Sequence, residues 1–400
     1  MIGIYITCIS LFTGLCYVYI LYPLMVGALA RLHPKKWIRD ENIFPTISIL
    51  VPAYNEEDVI EKCLTSLFAL EYPKDHIEII IGSDGSTDRT NDIISRISKE
   101  YVNVISLCFP ERRGKMLVVN DLAKAGQNEI LFFTDADVHL SPNSLKLHVR
   151  HFADPTVGAV AGAYCVVVKS PNGIFESEKS LASTEQRLRE NESLIHSTIG
   201  MFGGNYSIRK RLWMPMPSPL VYDDVYAALS LITRGFRVIF EFGSVAIDEH
   251  TRSLSVEFRR KARNASFGFA TLRYFPELIG FRLGLVSVML WSHKILRWLS
   301  PWVLVTIGIL TLTEYFHHNN IFWQTLVYGE CLVLATGLIG ALSYWSGSRL
   351  TGFVNVFWFL SMQIAFMIGA LRFITGSEAQ AWVQPPRAKS SDIKEAVDIK

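Results

Sequence analysis

Residues 131–140 read LFFTDADVHL, a short apolar run that ends at once in Asp135-Ala136-Asp137. Desolvating a carboxylate costs on the order of several kcal/mol unless a counter-charge is supplied. The pair therefore calls for a cation. In an extended chain, side chains two residues apart point the same way, so Asp135 and Asp137 can address a single ion. Acidic residues also stand in SDGSTD, around Asp84, and in VYDDVYAALSLITRG, at Asp223 and Asp224. Each has a plainer use. Asn55, Asp84 and Asp135 are natural turn formers or helix N-caps, and acids in a first helical turn are ordinary dipole partners worth about 0.3 to 1 kcal/mol.

The elements around these residues decide between the two uses. Thr46–Val51, Ile77–Ile81, Val102–Leu107 and Ile130–Thr134 have the pattern of buried strands. Glu56–Leu70, Asp88–Glu100 and Lys115–Ala125 alternate with them as amphipathic helices. Repeated βαβα order implies an α/β fold with a mainly parallel sheet covered on both faces. Such sheets bind ligands beyond the carboxyl ends of their strands, where VPAYNEED, SDGSTDRT and TDAD all lie.

Outside this stretch the chain is apolar. Half of the 400 residues are hydrophobic and only 19% are charged, with a mean hydropathy of +0.25. That combination fits a soluble domain attached to membrane helices. No charged residue occurs from Ile4 to Ala30, more than the ~20 residues that cross a bilayer core, so residues 1–31 are expected to be a membrane anchor. Arg31, Lys35, Lys36 and Arg39 follow directly and place the next segment in the cytoplasm by the positive-inside rule. Residues 45–276 are the expected soluble domain. Residues 284–299, with Lys294 and Arg297 among Trp and apolar residues, fit an interfacial helix. About three further spans are expected in 300–375, with a polar tail over 376–400. The formal charge of +2 and the absence of a Lys/Arg tract with interleaved aromatics argue against nucleic acid. Six scattered cysteines without C-x-x-C spacing are expected to be reduced and structural.

The ordered set VPAYNEE, SDGSTD, RGKMLVVN, TDAD, GGNYSIRK and YDD resembles the family 2 glycosyltransferases, which have the so-called GT-A fold. Among them it is most similar to the membrane-anchored members related to the cellulose, hyaluronan and poly-N-acetylglucosamine synthases. The resemblance covers residues 45–275. It implies a nucleotide-sugar donor, most often UDP-linked, an acceptor that is lipid-linked or a glycan at the membrane, contact with membrane lipids, and Mg²⁺ or Mn²⁺. By resemblance Asp137 is the more direct metal ligand, and Asp135 lies nearer the ribose or a metal-bound water. Asp84 resembles the residue that bonds the uracil ring, while Ala53, Tyr54 and Glu56 lie on the loop that encloses the base. Lys115 resembles the lysine near the nucleotide; its alternative is a solvated helix-start lysine.

A base must remove the acceptor's proton as the anomeric carbon is attacked. The resemblance assigns this to Asp224, supported by Asp223 where the family more often has Glu. Gly203, Gly204 and Asn205 resemble the small-residue loop that lets the backbone approach donor sugar and acceptor; a plain turn is the rival reading. In EFRRKARNASFGF, Arg260, Arg263 and Asn264 stand where processive relatives have Gln, Arg and Trp. Arg263 and Arg260 are thus expected near the diphosphate, although a basic face on anionic lipid explains the same residues, and the missing Trp counts against a long polymer product. His250 is read as structural rather than metal-bound. Beside an inverting transferase stand a membrane-tethered nucleotide-binding module without turnover, a nucleotidyltransferase, and a transporter, the last disfavoured because Glu330 is the lone charge in its span.

Overall fold

The structure is a computed structural model that describes residues 2–166, 174–218, 220–248, 254–318, 320–348 and 350–377, with the side chains of 166 and 174–182 left aside. His250 and all but the first residues of the polar tail lie outside the described residues.

An eight-stranded sheet forms the centre, in the order β3-β2-β1-β4-β7-β6-β8-β5. Its strands are β1 (Ile47–Ala53), β2 (Ile77–Asp84), β3 (Val104–Phe109), β4 (Ile130–Phe133), β5 (Val138–Leu140), β6 (Val157–Val166), β7 (Tyr206–Arg209) and β8 (Arg237–Asp248). The first four strands pair in parallel, as do β6 and β8. Strand β7 runs antiparallel to both β4 and β6, and β5 to β8. The mainly parallel α/β sheet expected from the sequence is therefore present, with antiparallel pairings added on the side of β7 and β5.

Strand β1 shows why the sheet is covered on both faces. Ile47, Ile49 and Val51 pack with Ile79 and Ile81 against the helices Ile60–Phe68 and Thr90–Glu100. Leu50 points the other way, into a second core with Ile80, Val118 and Leu122 from the helix Lys115–Ala125. All of these are 5% exposed or less, and each buried Leu or Ile contributes about 1.5 to 3 kcal/mol. The strand carboxyl ends are thereby fixed from both sides.

Four helices are long and apolar enough to cross a membrane: Ile2–Leu32, Leu285–His317, Ile321–Ser346 and Thr351–Thr375. The stretch read as an interfacial helix and the span read as opening at Pro301 form one continuous run, which includes a π-turn at Trp291–Ile295. Proline lacks the N–H that would bond the carbonyl four residues back. Here Ser300 Oγ donates to that carbonyl, Arg297 O, at 2.8 Å, so the run continues.

The helix Leu254–Leu272 joins the two parts of the molecule. Phe269 packs edge-on against Trp298 of the second apolar helix, with centroids 5.4 Å apart, and lies 5.6 Å from Phe373 of the fourth. Its other contacts reach the sheet domain: Thr271 Oγ1 accepts from Tyr222 N–H at 2.8 Å, and Asn264 donates to the Tyr222 hydroxyl at 3.0 Å.

Candidate active site

The cleft beyond β1, β2 and β4 is built from three loops that hold one another. Asn55 follows β1 with φ of 53°, a conformation Asn tolerates better than most residues. Its N–H donates to Ser86 Oγ at 3.1 Å, and its Oδ1 accepts from Thr87 N–H at 2.8 Å. Glu56 N–H donates to Thr90 Oγ1 at 2.7 Å. The loops after β1 and β2 are thus stitched together. Gly85 sits between them at φ +67°, and a Cβ there would lie 2.6 Å from the Arg112 nitrogen.

Asp84 ends β2 and is 4% exposed. Its two carboxylate oxygens accept from the Arg113 and Gly114 N–H groups at 2.7 and 2.8 Å. The Arg-Gly-Lys turn is therefore anchored on Asp84, which aims the following helix, and with it Lys115, into the cleft. The Arg112 guanidinium covers the Tyr54 ring at 3.9 Å, an Arg–aromatic contact over the loop after Ala53.

Lys115 Nζ lies 2.7 Å from Asp135 Oδ1 and 3.8 Å from Asp223 Oδ2. Burial disfavours its charge, but Asp135 and Asp223 outweigh that and raise its pKa above the usual lysine value. Asp137, two residues beyond Asp135, adds to the same negative field. Beneath the pair, Phe133 is stacked on Tyr206 at 4.4 Å and on Trp213 at 4.8 Å, giving the acidic turn a rigid floor. Among the described residues no group of three or more His, Cys, Asp or Glu side chains could enclose a metal by itself. The donor set is two carboxylates on an open strand end with a cation already beside one of them. It fits Mg²⁺ or Mn²⁺, which take one or two protein carboxylates and complete their shells with phosphate oxygens and water.

The opposite wall is the start of the helix Asp223–Ile232. Asp223 faces Lys115. Asp224 is 7% exposed, and its Oδ1 is buried with no hydrogen-bond partner among the described residues. Burial and the neighbouring Asp223 push its pKa up to about 7, against Arg189, Lys294 and Lys115, which lower it. A Cβ on Gly203 would meet Asp223 Oδ2 at 3.7 Å, Lys115 Nζ at 3.9 Å and Asp135 Oδ2 at 4.0 Å. Gly203 therefore looks onto all three charged groups. Gly204 has another reason to be small: a Cβ there would lie 2.8 Å from Val138 Cγ2. Asn205 sits behind them, fully buried, donating to Ala163 O and Ser244 O at 3.0 Å each. It supports the loop from within and does not face the cleft.

Arg263 lies partly buried on the joining helix. Burial lowers its pKa to about 10, while Asp223, Tyr222 and Asp135 act in the opposite direction; it thus faces the acidic wall. Arg260 is turned to the buried Glu257, with Nη2 to Oε2 at 2.6 Å. The structure brings Asp84, Lys115, Asp135, Asp137, Gly203, Asp223, Asp224 and Arg263 around one cleft, whereas Asn205 and Arg260 have internal partners. Sequence reading did not single out Arg112, or Arg189 and Lys294 behind Asp224. Arg189 sits in a helix whose charges look evenly solvated, and Lys294 in a stretch that looks interfacial.

The profile of "Glycosyl transferase family 2" matches residues 48–213. Over that stretch the chain carries this family's pattern. The matched stretch holds the loops after β1 and β2, the Asp135-Ala136-Asp137 turn and the Gly203-Gly204 loop, and stops before Asp223, Asp224 and Arg263. The chain is 26% identical over 67% of its length to a dolichyl N-acetyl-alpha-D-glucosaminyl phosphate 3-beta-D-2,3-diacetamido-2,3-dideoxy-beta-D-glucuronosyltransferase of Methanococcus voltae, of which it covers 88%. It is 28% identical over 49% of its length to the poly-beta-1,6-N-acetyl-D-glucosamine synthase of Staphylococcus aureus, covering 48% of that protein. Other curated relatives are matched over only 19% to 52% of their own length. In fold, the chain is similar to a mannosyltransferase from Pyrobaculum calidifontis solved with GDP-Man and Mn²⁺: 22% identity, TM-score 0.72, over 94% of this chain and all of the other. That likeness extends beyond the sheet domain, so the GT-A-like sheet and the long apolar helices share one architecture with it.

Proposed function

We propose that this chain is a membrane-anchored, metal-dependent glycosyltransferase that moves a sugar from a nucleotide donor to an acceptor at the membrane, with inversion by single displacement. The observation that carries the reading is the pairing of opposite chemistries across one cleft. An acidic turn with Lys115 stands on one wall, and on the other a buried carboxyl with an unpartnered oxygen. Asp135 and Asp137 would hold Mg²⁺ or Mn²⁺, which supplies charge neutralisation for the departing diphosphate. Lys115 and Arg263 contribute further positive charge toward the phosphates, Arg263 with the fork geometry suited to them. Gly203 leaves room for the sugar between the walls. Asp224, ionised above about pH 7, accepts the acceptor's proton as the new bond forms, and Asp223 keeps Lys115 oriented across the cleft.

The four apolar helices support membrane attachment, and the basic residues after the first of them support a cytoplasmic catalytic domain. A UDP-linked donor is favoured by the resemblance around Asp84, and GDP-mannose is the donor carried by the structural neighbour. Both belong in the test. Purified protein would be given UDP-, GDP- and dTDP-sugars with Mn²⁺ or Mg²⁺ and a total membrane lipid extract, and product formation followed. Turnover of one donor, with nucleotide binding lost in Asp137→Ala but kept in Asp224→Asn, is the expected outcome. No turnover of any donor, or full activity in Asp224→Asn, would refute the proposal. Nucleotide binding without turnover would identify a binding module instead.

A further inference from the structure

Close to the residue after Asp224 lies a polar cluster that the proposed reaction leaves unused. It is centred on the π-turn Trp291–Ile295 of the second apolar helix, a local irregularity that often accompanies function. His293 and Lys294 of this turn are buried, at 1% and 9% exposure. His293 places Nδ1 2.8 Å from Glu192 Oε1 and Nε2 2.7 Å from Glu185 Oε1. Glu185 also receives Lys294 at 3.4 Å, Arg189 at 3.4 Å and Arg297 at 2.9 Å. Glu192 accepts from the Tyr22 hydroxyl of the first apolar helix at 2.6 Å.

Three fixed cations thus converge on the one carboxylate of Glu185, while Glu192 is held by His293 and the Tyr22 hydroxyl, so the Glu185 end of the cluster carries an excess of positive charge. Asp224, whose Oδ1 has no hydrogen-bond partner among the described residues, lies in the field of these cations. A Cβ on Gly200 would lie 3.4 Å from Val225, the residue after Asp224, and 3.6 Å from Lys294 Cε, so the two side chains flank one glycine. Arg189 Nη1 donates to Met201 O at 3.0 Å, in the strand of chain that leads to Gly203.

We infer that Lys294 and Arg189, held in place by Glu185, are positioning residues that set the charge state of Asp224 from the membrane side, so that the second apolar helix is part of the transfer site. The inference rests on Asp224 being the base. The charges facing Asp224 are Asp223 on its own helix, Arg189 from the helix Ile174–Ile195, Lys294 from the π-turn and Lys115 from across the cleft. Among the described residues, Tyr206 of β7 and Tyr222 also lie in its field. Burial and Asp223 disfavour the carboxylate; Arg189 and Lys294 favour it. Without them more of the base would be protonated at neutral pH, and less of it able to accept a proton.

The test is the pH profile of nucleoside diphosphate release from GDP-mannose and from UDP-N-acetylglucosamine, with Mn²⁺ and total membrane lipid extract, for wild type, Lys294→Met, Lys294→Arg and Asp224→Asn. Lys294→Met should move the acidic limb by about one pH unit toward alkaline pH, so that its rate is about tenfold below wild type near pH 6 and converges with it near pH 9. Lys294→Arg should restore the wild-type limb. A purely structural role would lower the rate of Lys294→Met by one factor at every pH, and that result overturns the inference, as does an unmoved limb. If Asp224→Asn abolishes release while the Lys294→Met limb stays in place, only the positioning role fails. If Asp224→Asn retains the wild-type rate, or no arm turns over, the assignment of the base fails with it.

Discussion

Lys115 Nζ stands 2.7 Å from Asp135 Oδ1 and 3.8 Å from Asp223 Oδ2, so one ammonium links the wall of the cleft that carries Asp135 to the wall that carries Asp223. It occupies the neighbourhood a divalent ion would take. Lys115→Met should therefore bind Mn²⁺ more tightly in the absence of nucleotide, by about tenfold if one opposing charge is removed, and should transfer sugar more slowly because the phosphates lose a cation. Titration of free Mn²⁺ by electron paramagnetic resonance, alongside turnover, checks both halves. Weaker Mn²⁺ binding in the variant would show that Lys115 organises Asp135 for the metal instead of competing with it.

The two adjacent glycines should respond in opposite ways. Gly203→Ala adds a methyl group to space bounded by three charged side chains at 3.7 to 4.0 Å, which is ordinary contact distance. The protein should fold with an unchanged Tm and lose at least about tenfold in turnover, since the methyl group obstructs the sugar. Gly204→Ala forces a Cβ to within 2.8 Å of Val138 and 3.1 Å of Phe202. Overpacking of this kind costs about 1 to 3 kcal/mol, and should appear as a lower Tm. Equal effects on stability and turnover in the two variants would remove the distinction.

How much of this was legible beforehand follows from local physics. Strands β1, β2 and β4 are near-continuous apolar runs, as parallel strands buried on both faces must be, and the polar residues that end them were visible for that reason. The helix Lys115–Ala125 begins and ends where its flanking Gly114 and Gly126 stop it. The antiparallel side of the sheet was hidden. Strand β6, VGAVAGAYCV, has its Val and Tyr residues interrupted by Gly and Ala, which are depleted in strands, and β7 is four residues long; both pair with neighbours distant in sequence. Pro301 reads as a helix start, and only the Ser300 hydroxyl explains why the helix runs through it. The cluster around Glu185 joins residues about a hundred positions apart, and spacing along the chain carries no trace of it.

Arg263 should not tolerate replacement by lysine. It reaches the acidic wall from a helix that is itself pinned by Phe269 on Trp298 and by Asn264 on Tyr222. If it engages a diphosphate, the guanidinium does so bidentately, and a single ammonium reproduces only the charge. Arg263→Lys is expected to raise the donor KM about tenfold with little change in Tm, and Arg263→Ala to raise it further. Isothermal titration with the nucleoside diphosphate and Mn²⁺ tests this directly; equal affinity in wild type and Arg263→Ala would leave the residue as part of a lipid-facing basic surface.

Asp224 leads to a prediction in which stability and activity move apart. Its carboxyl has a pKa of about 7 in the folded protein, raised from 3.8 by burial and Asp223. A raised acid pKa means that the folded state holds a proton which the unfolded chain has released, so between about pH 4 and pH 7 stability falls as pH rises. The contribution is fully present below the unfolded value and is lost as the pH passes through the folded one. Asp224→Asn removes the buried negative charge. The variant should therefore be more stable than wild type at about pH 8, by on the order of 5 °C in Tm, with the difference disappearing near pH 4. Its turnover should fall by about 10² to 10⁴, the usual loss when a positioned base is removed. Wild-type turnover should itself decline as the pH is lowered through about 7. Thermal unfolding and initial rates across the same pH series test the two together. A variant that is both inactive and destabilised at pH 8 would mean that Asp224 holds the helix start in place and is not the base. A variant that gains stability while losing turnover would identify a buried charge maintained at a cost for its chemistry.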